Sequence, residues 1–585
     1  GLTGGALAEA DRGPESAGPG GCPQDLLGIW STELPAGRLF DVRLAIDELT
    51  ADGGRARIEL GGRRETVPVW RSGERLRFQP SSAPLAFDGR LDADGAVSGF
   101  LTAGSGLHHL RLVPGEAGQG GERGEAPIGR ATWSLLGVPG ATFPLDLYIG
   151  MEDGEVGGWF FFRDPRLPSL FGEGMHCDGL EVRVSEKNLG LDLEGRFDRE
   201  NDTLELTVRG LGGAFPAPFR RLAEDPMDAA TPRDPGREGY RERAPEPTSD
   251  GWSAAAPSSA GIDPAPIAAL VDEVREGRLP YVHSVLVARG GRLVVEEYFY
   301  GYARDTLHDM RSASKSVAAL LTGLAIESGH LPGADARVLD HFPTYRPIAA
   351  WDPRKAEITV EHLLTMSSGL DADDSRWQSA ASEQRYQSQR AQPDWMRLAL
   401  DAPMVADPGA RLAYGSANPM LLGGVLESAV GEPLERFAKR ALLGPLGIDS
   451  YRWALDPTGS IYLGGGMYLR PRDMLKLGQL VLAGGRWDGR RLLSESWIRA
   501  ATASYGPLTN VRDRNEYGYL WWHHDYRVGD RSIHAIEARG NGGQYVFVVP
   551  ELELVAAITS GNYRNRDLLH QPEEILERFI LPAVR

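Results

Sequence analysis

The sequence predicts a mixed α/β (α+β) domain over residues 258–585, built on an antiparallel sheet with helices, preceded by an all-β N-terminal domain over residues 23–222. Three observations lead there. Strand-like runs at both ends of 258–585 enclose a helical middle, which suggests one sheet assembled from both ends of that segment. Residues 23–222 are short alternating apolar runs separated by Gly and Asp turns. Between them, residues 223–257 carry Pro226, Pro232, Pro235, Pro245, Pro247 and Pro257 among charged and small residues, with no hydrophobic period, and read as a linker. A chain of 585 residues is in any case too long for one ordinary core.

Residues 1–22 are rich in Gly, Ala, Pro and Glu and are expected to be an unordered N-terminus. The chain opens at Gly1 with neither Met nor an apolar leader, as expected of a mature or trimmed form. In the β region, Asp41-Val-Arg-Leu-Ala-Ile46 and Asp146-Leu-Tyr-Ile149 alternate as half-buried strands do. The region also repeats weakly. Gly28-Ile-Trp30 opens one half and Ala131-Thr-Trp133 the other, and the halves close on Leu110-Arg-Leu112 and Phe219-Arg-Arg-Leu222. Units over 23–115 and 127–222 would suit a pair of small barrels or one larger sandwich. Beyond the linker, Ser284 to Glu296 predicts a hairpin turning at Gly290-Gly291. Helical segments follow at 313–328, 418–430 and 471–484. Gln544–Val549 and Leu554–Thr559 flank Pro550-Glu551 as a strand pair.

Acidic residues outnumber basic ones by 81 to 63, a formal charge of −18, and no long basic run occurs, which argues against nucleic acid or an anionic membrane surface as partner. No apolar run approaches the roughly 18–20 residues that span a bilayer. Cys22 and Cys177 are the only cysteines. They form either one bridge, implying a periplasmic or secreted protein, or two isolated thiols, compatible with the cytoplasm. Lysine is scarce: Lys187, Lys315, Lys355, Lys439 and Lys476 are the full set.

That scarcity draws attention to Arg311-Ser-Ala-Ser-Lys-Ser-Val-Ala-Ala-Leu320. Ser312 and Lys315 stand three apart at the start of an apolar helix, which puts both side chains on one face. A serine hydroxyl needs a base to become a nucleophile. A lysine desolvated at a helix N-terminus is expected to have a lowered pKa and to act as that base. Alone, Ser-x-x-Lys is a weak signal, equally met by a surface lysine near a helix cap. A second element, Tyr414-Gly-Ser-Ala-Asn418, places a tyrosine on a loop before an apolar helix, where it can carry a proton or simply fill a core. A third, Ala538-Arg-Gly-Asn-Gly-Gly-Gln-Tyr-Val546, puts glycines at a strand edge, where a substrate backbone can approach or a bulge can form.

Together, in this order, the three elements resemble the serine β-lactamase-related family, which includes class C β-lactamases, D-Ala-D-Ala carboxypeptidases, family VIII esterases and 6-aminohexanoate-dimer hydrolase. The resemblance covers about residues 260–580. Ile358-Thr-Val-Glu-His-Leu-Leu-Thr-Met-Ser-Ser-Gly-Leu370 and Gly464-Gly-Gly-Met-Tyr-Leu-Arg-Pro-Arg-Asp-Met-Leu-Lys-Leu-Gly478 are similar to two further family segments. It implies a β-lactamase/transpeptidase-like fold with a helical subdomain. It implies Ser312 as nucleophile, Lys315 as its base partner and Tyr414 as proton shuttle. The N–H groups of Ser312 and Asn541 become the oxyanion donors, with Gly540, Asn418, Gly542 and Gly543 beside the substrate. It implies no metal or organic cofactor.

Two departures narrow the substrate. The second element reads Tyr-x-Ser-x-Asn rather than Tyr-x-Asn, and the third reads Ala538-Arg-Gly540 where the family has Lys-Thr-Gly or His-x-Gly. The expectation is therefore acyl transfer from a small ester or linear amide, closest to the 6-aminohexanoate-dimer hydrolase branch. β-Lactamase or D-Ala-D-Ala carboxypeptidase and D-amino-acid peptidase activity, or a non-catalytic binding protein, are the alternatives; oligomeric state is left open. Arg539 could offer charge, though strand alternation turns it away. Gly-x-Ser-x-Gly and His-Glu-x-x-His do not occur. His523-His-Asp525 and His176-Cys-Asp178 could bind metal but read better as packed or solvated residues.

Overall fold

The computed structural model describes residues 22–35, the strands given below between 42 and 221 with the turns 179–180 and 199–202, residues 222–223, and 240–585 apart from 301, 377, 388–393, 455, 457–459, 512–514 and 563–567. Residues 1–21, and with them nearly all of the expected unordered N-terminus, lie outside the described residues, as does 224–239 of the linker.

The N-terminal region is all β. A closed eight-stranded barrel runs in chain order through β2 (Val42–Thr50), β3 (Gly53–Leu60), β4 (Arg63–Ser72), β5 (Arg75–Phe78), β6 (Leu85–Leu91), β7 (Val97–Ala103), β8 (Gly106–Pro114) and β9 (Ala131–Ser134). The strand that opens the chain, β1 (Gly28–Pro35), is not in it. β1 lies in a second eight-stranded sheet, between β10 (Thr142–Glu152) and β16 (Gly213–Arg221). Completing that sheet are β11 (Glu155–Phe162), β12 (Gly172–Asp178), β13 (Glu181–Glu186), β14 (Leu191–Asp198) and β15 (Thr203–Gly210). The two Trp-bearing strands that open the sequence halves are thus exchanged. Trp30 of β1 is opposite Leu147 and Arg221, while Trp133 of β9 is opposite Leu44 and Pro114. The 23–115 and 127–222 repeats are recognisable as sequence, but strand pairing runs across them.

Local chemistry anchors the exchanged strand. Trp30 is fully buried against Phe197, its indole N–H donating to Leu26 O at 3.0 Å. The Arg221 guanidinium lies 4.1 Å over the Trp30 ring and donates to the carbonyls of Leu27 and Asp25, so an arginine of the last strand closes on the first. Cys22, six residues before β1, is bridged to Cys177 of β12. The cysteine question left open by the sequence is answered as one disulfide, and the His176-Cys-Asp178 metal alternative loses its thiolate.

Residues 253–560 contribute a seven-stranded sheet in the order β17 (Ser253–Ala254), β19 (Arg292–Tyr298), β18 (Val282–Arg289), β28 (Leu554–Ser560), β27 (Gln544–Val549), β26 (Arg531–Gly540) and β25 (Trp522–Val528). All neighbours are antiparallel except the two-residue β17–β19 pair. Both ends of the segment build it, as the strand signals predict, and the hairpin turns at Gly290-Gly291 with positive φ at both. Strands β18, β27 and β28 are buried on almost every residue, which explains why they read as continuous apolar runs. One face packs on α1 (Pro264–Arg275) and the C-terminal residues around Phe579. The other packs on α2 (Lys315–Glu327) and α4 (Pro471–Leu482), and α3 (Ala417–Val430) packs on α2 beyond them. α2 is apolar all round because it is enclosed between sheet and helices, with Val317, Ala318, Leu320, Leu321 and Ala325 essentially inaccessible.

From Tyr240 onward the linker is fastened to the domain through Arg472 on α4, whose side chain is buried. Its guanidinium donates to Glu296 twice at 2.7 Å, to Thr248 Oγ1 at 2.6 Å, to Asp250 Oδ2 at 3.1 Å and to Glu246 O at 2.8 Å. Trp252 adds an indole bond to Arg472 O. A run without hydrophobic period is held by charge, a signal that periodicity does not report. Arg472→Ala removes the cation beside Asp250 and leaves the buried Glu296 with Arg304 alone, at 3.3 Å, and we expect it to destabilise the domain by about 3 kcal/mol, measured by urea unfolding against the parent protein.

Candidate active site

Ser312 lies in a single 3₁₀ turn, Arg311–Ser314, that runs directly into α2 at Lys315. The turn is strained: Arg311 has φ +50°, a left-handed conformation that costs an arginine on the order of 1 kcal/mol. Asp309 compensates. Its carboxylate accepts the Arg311 backbone N–H at 2.8 Å and pairs with the Arg311 guanidinium at 3.0 Å. Ser314 Oγ donates back to Arg311 O and closes the turn.

The spacing of Ser312 and Lys315 produces the expected meeting. Lys315 Nζ is 2.8 Å from Ser312 Oγ and also donates to Gly464 O. It is 1% exposed, so this ammonium is desolvated. Burial by itself would pull its pKa down, but Tyr414 and the Glu383 and Asp374 carboxylates outweigh burial and hold the amine above its ordinary value. This corrects the expectation of a lowered lysine. The helix N-terminus and burial that suggested it are present, but Tyr414 first, and then Glu383 and Asp374 from a segment without a recognisable motif, act against them.

Tyr414 approaches from the loop before α3, its ring centroid 5.1 Å from Lys315 Nζ. Asn510 clamps its backbone from both sides, Oδ1 accepting Tyr414 N–H at 2.7 Å and Nδ2 donating to Tyr414 O at 2.9 Å. The Trp522 ring packs at 5.4 Å, while its neighbour Trp521 fills the core. Ser416, two residues on, donates through both N and Oγ to Asp374 Oδ2 at 2.7 Å. Asp374 Oδ1 accepts Glu383 N–H at 2.7 Å. Burial, reinforced by Glu383, pushes Asp374 up to about 6. Asn418, grouped with the substrate-binding residues on resemblance, is 2% exposed. It faces inward, Nδ2 donating to Gly415 O at 3.0 Å, and supports the turn that carries Tyr414.

The third element is the hairpin between β26 and β27. Gly540 packs directly on the nucleophile turn: a Cβ there would fall 2.3 Å from Met310 O and 3.1 Å from Ala313 N. Asn541 follows at the exposed tip, and Gly542 and Gly543 make the reversal with φ of +83° and +86°. The strand edge bearing the expected second oxyanion donor, Asn541 N–H, is therefore seated against the turn bearing the first. Ala538 is buried in the core beneath, beside Ala313 and Val317. Arg539 points to the opposite face, where it pairs with Glu537 at 2.5 Å and Glu573 at 3.1 Å. It offers no charge to Ser312.

Asn510, Asp374, Glu383 and Tyr462 are residues that sequence reasoning missed. Asp373-Asp374, just after the Ser-Ser-Gly-Leu370 segment, was the available signal; Asn510 had none. The His523-His-Asp525 run is used within the sheet, His523 Nδ1 meeting His534 Nε2 at 3.1 Å and His534 Nδ1 meeting Asp525 at 2.7 Å.

A family profile described as Beta-lactamase matches residues 267–578, just over half of the chain, and the chain belongs to that family. It is 24% identical over 257 residues to 6-aminohexanoate-dimer hydrolase of Paenarthrobacter ureafaciens, covering 41% of this chain and 63% of that protein. It is 29% identical over 215 residues to esterase EstB of Burkholderia gladioli, covering 33% and 53%. Less than two thirds of either relative's length is therefore spanned. Among solved structures, a penicillin-binding protein homolog from Caulobacter crescentus superposes with a TM-score of 0.43 at 18% identity, over 56% of this chain and 99% of that one.

Gly540→Ala tests the seating of the hairpin on the nucleophile turn. A methyl group cannot fit without moving one against the other, and displacement of order 1 Å typically costs about 10²-fold in reactivity. We expect labelling of Ser312 by a fluorophosphonate to slow by about that factor, read as adduct mass against time.

Proposed function

We propose that this protein is a serine hydrolase that forms an acyl-enzyme on Ser312 from a small ester or linear amide. The observation that carries the reading is the 2.8 Å contact between Lys315 Nζ and Ser312 Oγ at the head of a buried helix, with Tyr414 on the other side of the amine. The relatives' names, a linear-amide hydrolase and an esterase, support the same class of substrate.

Chemistry proceeds in two halves. Ser312 Oγ attacks the carbonyl carbon as its proton passes to the Lys315–Tyr414 pair. The carbonyl oxygen takes up negative charge facing the N–H groups of Ser312 and Asn541. The C–O or C–N bond then breaks, and Tyr414 returns the proton to the departing alcohol or amine. Water gives one proton to the same pair as it attacks the acyl-serine; the pair returns that proton to Ser312 Oγ as the acyl–Oγ bond breaks, and the acid leaves with water's oxygen and remaining proton. No metal or organic cofactor takes part in these steps.

The third element supports a substrate whose carboxylate is not held at this strand: where the resemblance to β-lactamases and carboxypeptidases implies Lys or His, this chain has the buried Ala538, and Arg539 is committed to Glu537 and Glu573. That weighs against efficient turnover of β-lactams and D-Ala-D-Ala peptides. We propose a periplasmic or secreted location, which the Cys22–Cys177 bridge supports because disulfides persist mainly in oxidising compartments.

A panel of p-nitrophenyl acetate, p-nitrophenyl butyrate, a small linear amide and nitrocefin tests the function. Wild type should turn over the esters or the amide well ahead of nitrocefin. Ser312→Ala should lose about 10³-fold or more in kcat. Strong nitrocefin turnover with negligible esterase and amidase activity would overturn the substrate assignment.

A further inference from the structure

We propose that Gln544 and Asn562 are positioning residues of the oxyanion site, holding the hairpin at 540–543 so that the Asn541 N–H is aimed at the carbonyl oxygen of a substrate on Ser312. The proposal rests on the serine-hydrolase reading above and deepens it by naming what orients the second oxyanion donor.

A backbone N–H does not set its own direction. It lies in a planar trans peptide, opposite the carbonyl oxygen of the preceding residue. Whatever holds the carbonyls of the hairpin therefore aims its N–H groups. Gly540 O accepts the Gly543 N–H at 3.3 Å, Asn541 O accepts from Gln544 Nε2 at 3.4 Å, and Gly542 O accepts the Asn562 N–H at 2.9 Å. The first carbonyl shares its peptide with the Asn541 N–H, which is thereby turned away from the closure of the hairpin. The other two bonds fix the next two peptides, so the first cannot rotate without straining them.

The two holders are themselves fixed. Gln544 has no exposed surface, and its amide is in full use. Nε2 donates to Ser560 O at 2.6 Å as well as to Asn541 O, and Oε1 accepts the Ser560 N–H at 3.3 Å. This orientation of the amide gives both carbonyls a donor and the N–H an acceptor; the flipped one gives neither. Asn562, equally buried, is tied through Nδ2 to Leu568 O and Gln571 Oε1, each at 3.1 Å. The hairpin also lies hard against this pair. A Cβ on Gly543 would fall 2.9 Å from Ser560 Cβ and 3.3 Å from Asn562 Nδ2, while one on Gly540 meets Met310 O and Ala313 N in front. The loop is gripped between the nucleophile turn and the end of β28, and its setting toward Ser312 is decided from behind.

Negative charge grows on the substrate oxygen only as Ser312 adds to the carbonyl. The aim of a donor therefore counts in the transition state more than in the bound ground state. Loosening the hairpin should lower a rate constant and leave binding in place, which general loosening of the domain would not do selectively.

Labelling of the full chain by an alkyl fluorophosphonate tests this. Its dependence on probe concentration separates the limiting rate of Ser312 phosphonylation from the half-saturating concentration. Gln544→Met removes the amide and keeps an unbranched side chain of similar length. Asn562→Ala removes the tie to Leu568 and Gln571. Each should slow the limiting rate by about 10-fold to 10²-fold, with half-saturation within about twofold of wild type. Phenylboronic acid, which adds to serine as a tetrahedral anion, should lose affinity by the same factor, read as protection against labelling. Thr559→Val breaks the 2.6 Å hydroxyl pair of Ser284 and Thr559 in the same strand without touching the hairpin, and should change neither quantity. Near-ultraviolet circular dichroism shows which variants are folded, and either hairpin variant suffices if the other is not. Unchanged labelling and boronate affinity in a folded hairpin variant, or an equal loss in Thr559→Val, overturns the proposal. Wild type that takes no label on Ser312 would remove the hydrolase reading, whereas labelled wild type with indifferent variants would remove this proposal alone.

Discussion

The enclosed ammonium of Lys315 is the constraint on which the rest of the catalytic region depends. Taking an amine out of water costs several kcal/mol unless its protons find acceptors and its charge finds partners. Ser312 Oγ and Gly464 O supply the acceptors; Asp374 and Glu383 supply the charge. These groups come from segments far apart in the chain, around residues 312, 374–383, 414–418 and 464. Satisfying one nitrogen therefore fixes how the helical layer meets the sheet. The same demand explains polar side chains in otherwise apolar surroundings, such as Ser416 with no exposed surface and Tyr462 with 4%.

The nucleophile turn shows the complementary principle. Arg311 is held in a conformation that sequence propensity opposes, and it persists because Asp309 bonds both its backbone and its side chain while Gly540 packs on the other side. A turn so constrained presents Ser312 in one orientation. The expense of strain is met by neighbours that have no chemical role of their own.

Much of this was legible in the sequence, for identifiable reasons. The central sheet was readable because its strands are buried on both faces and its hairpins carry glycine turns. The meeting of Ser312 with Lys315, and Tyr414 beside them, was readable as geometry because helix spacing and motif order are local properties. The charge state of Lys315 was not, because it depends on Asp374 and Glu383, brought to the amine by tertiary packing of a loop with no periodic pattern. Asn510 was invisible for the same reason: it acts on the backbone of a residue 96 positions earlier. The attachment of residues 240–257 through Arg472 escaped notice because composition marks a linker and says nothing of a distant arginine that binds it. The repeat in the β region was legible as a likeness between halves, but which strand belongs to the barrel and which to the second sheet is decided by pairing.

That exchange has a consequence for how such a protein can change. The closed barrel takes in β9, the strand that opens the second half, the second sheet takes in β1, the strand that opens the first, and the disulfide fastens the lent segment of the first half to its host in the second. A recombination that removed residues 23–115 would take β1 from between β10 and β16, and one that removed 127–222 would take β9 from the barrel; either leaves unpaired strand edges, prone to pair with another chain. Shedding one copy would therefore require the survivor first to replace the strand it borrows.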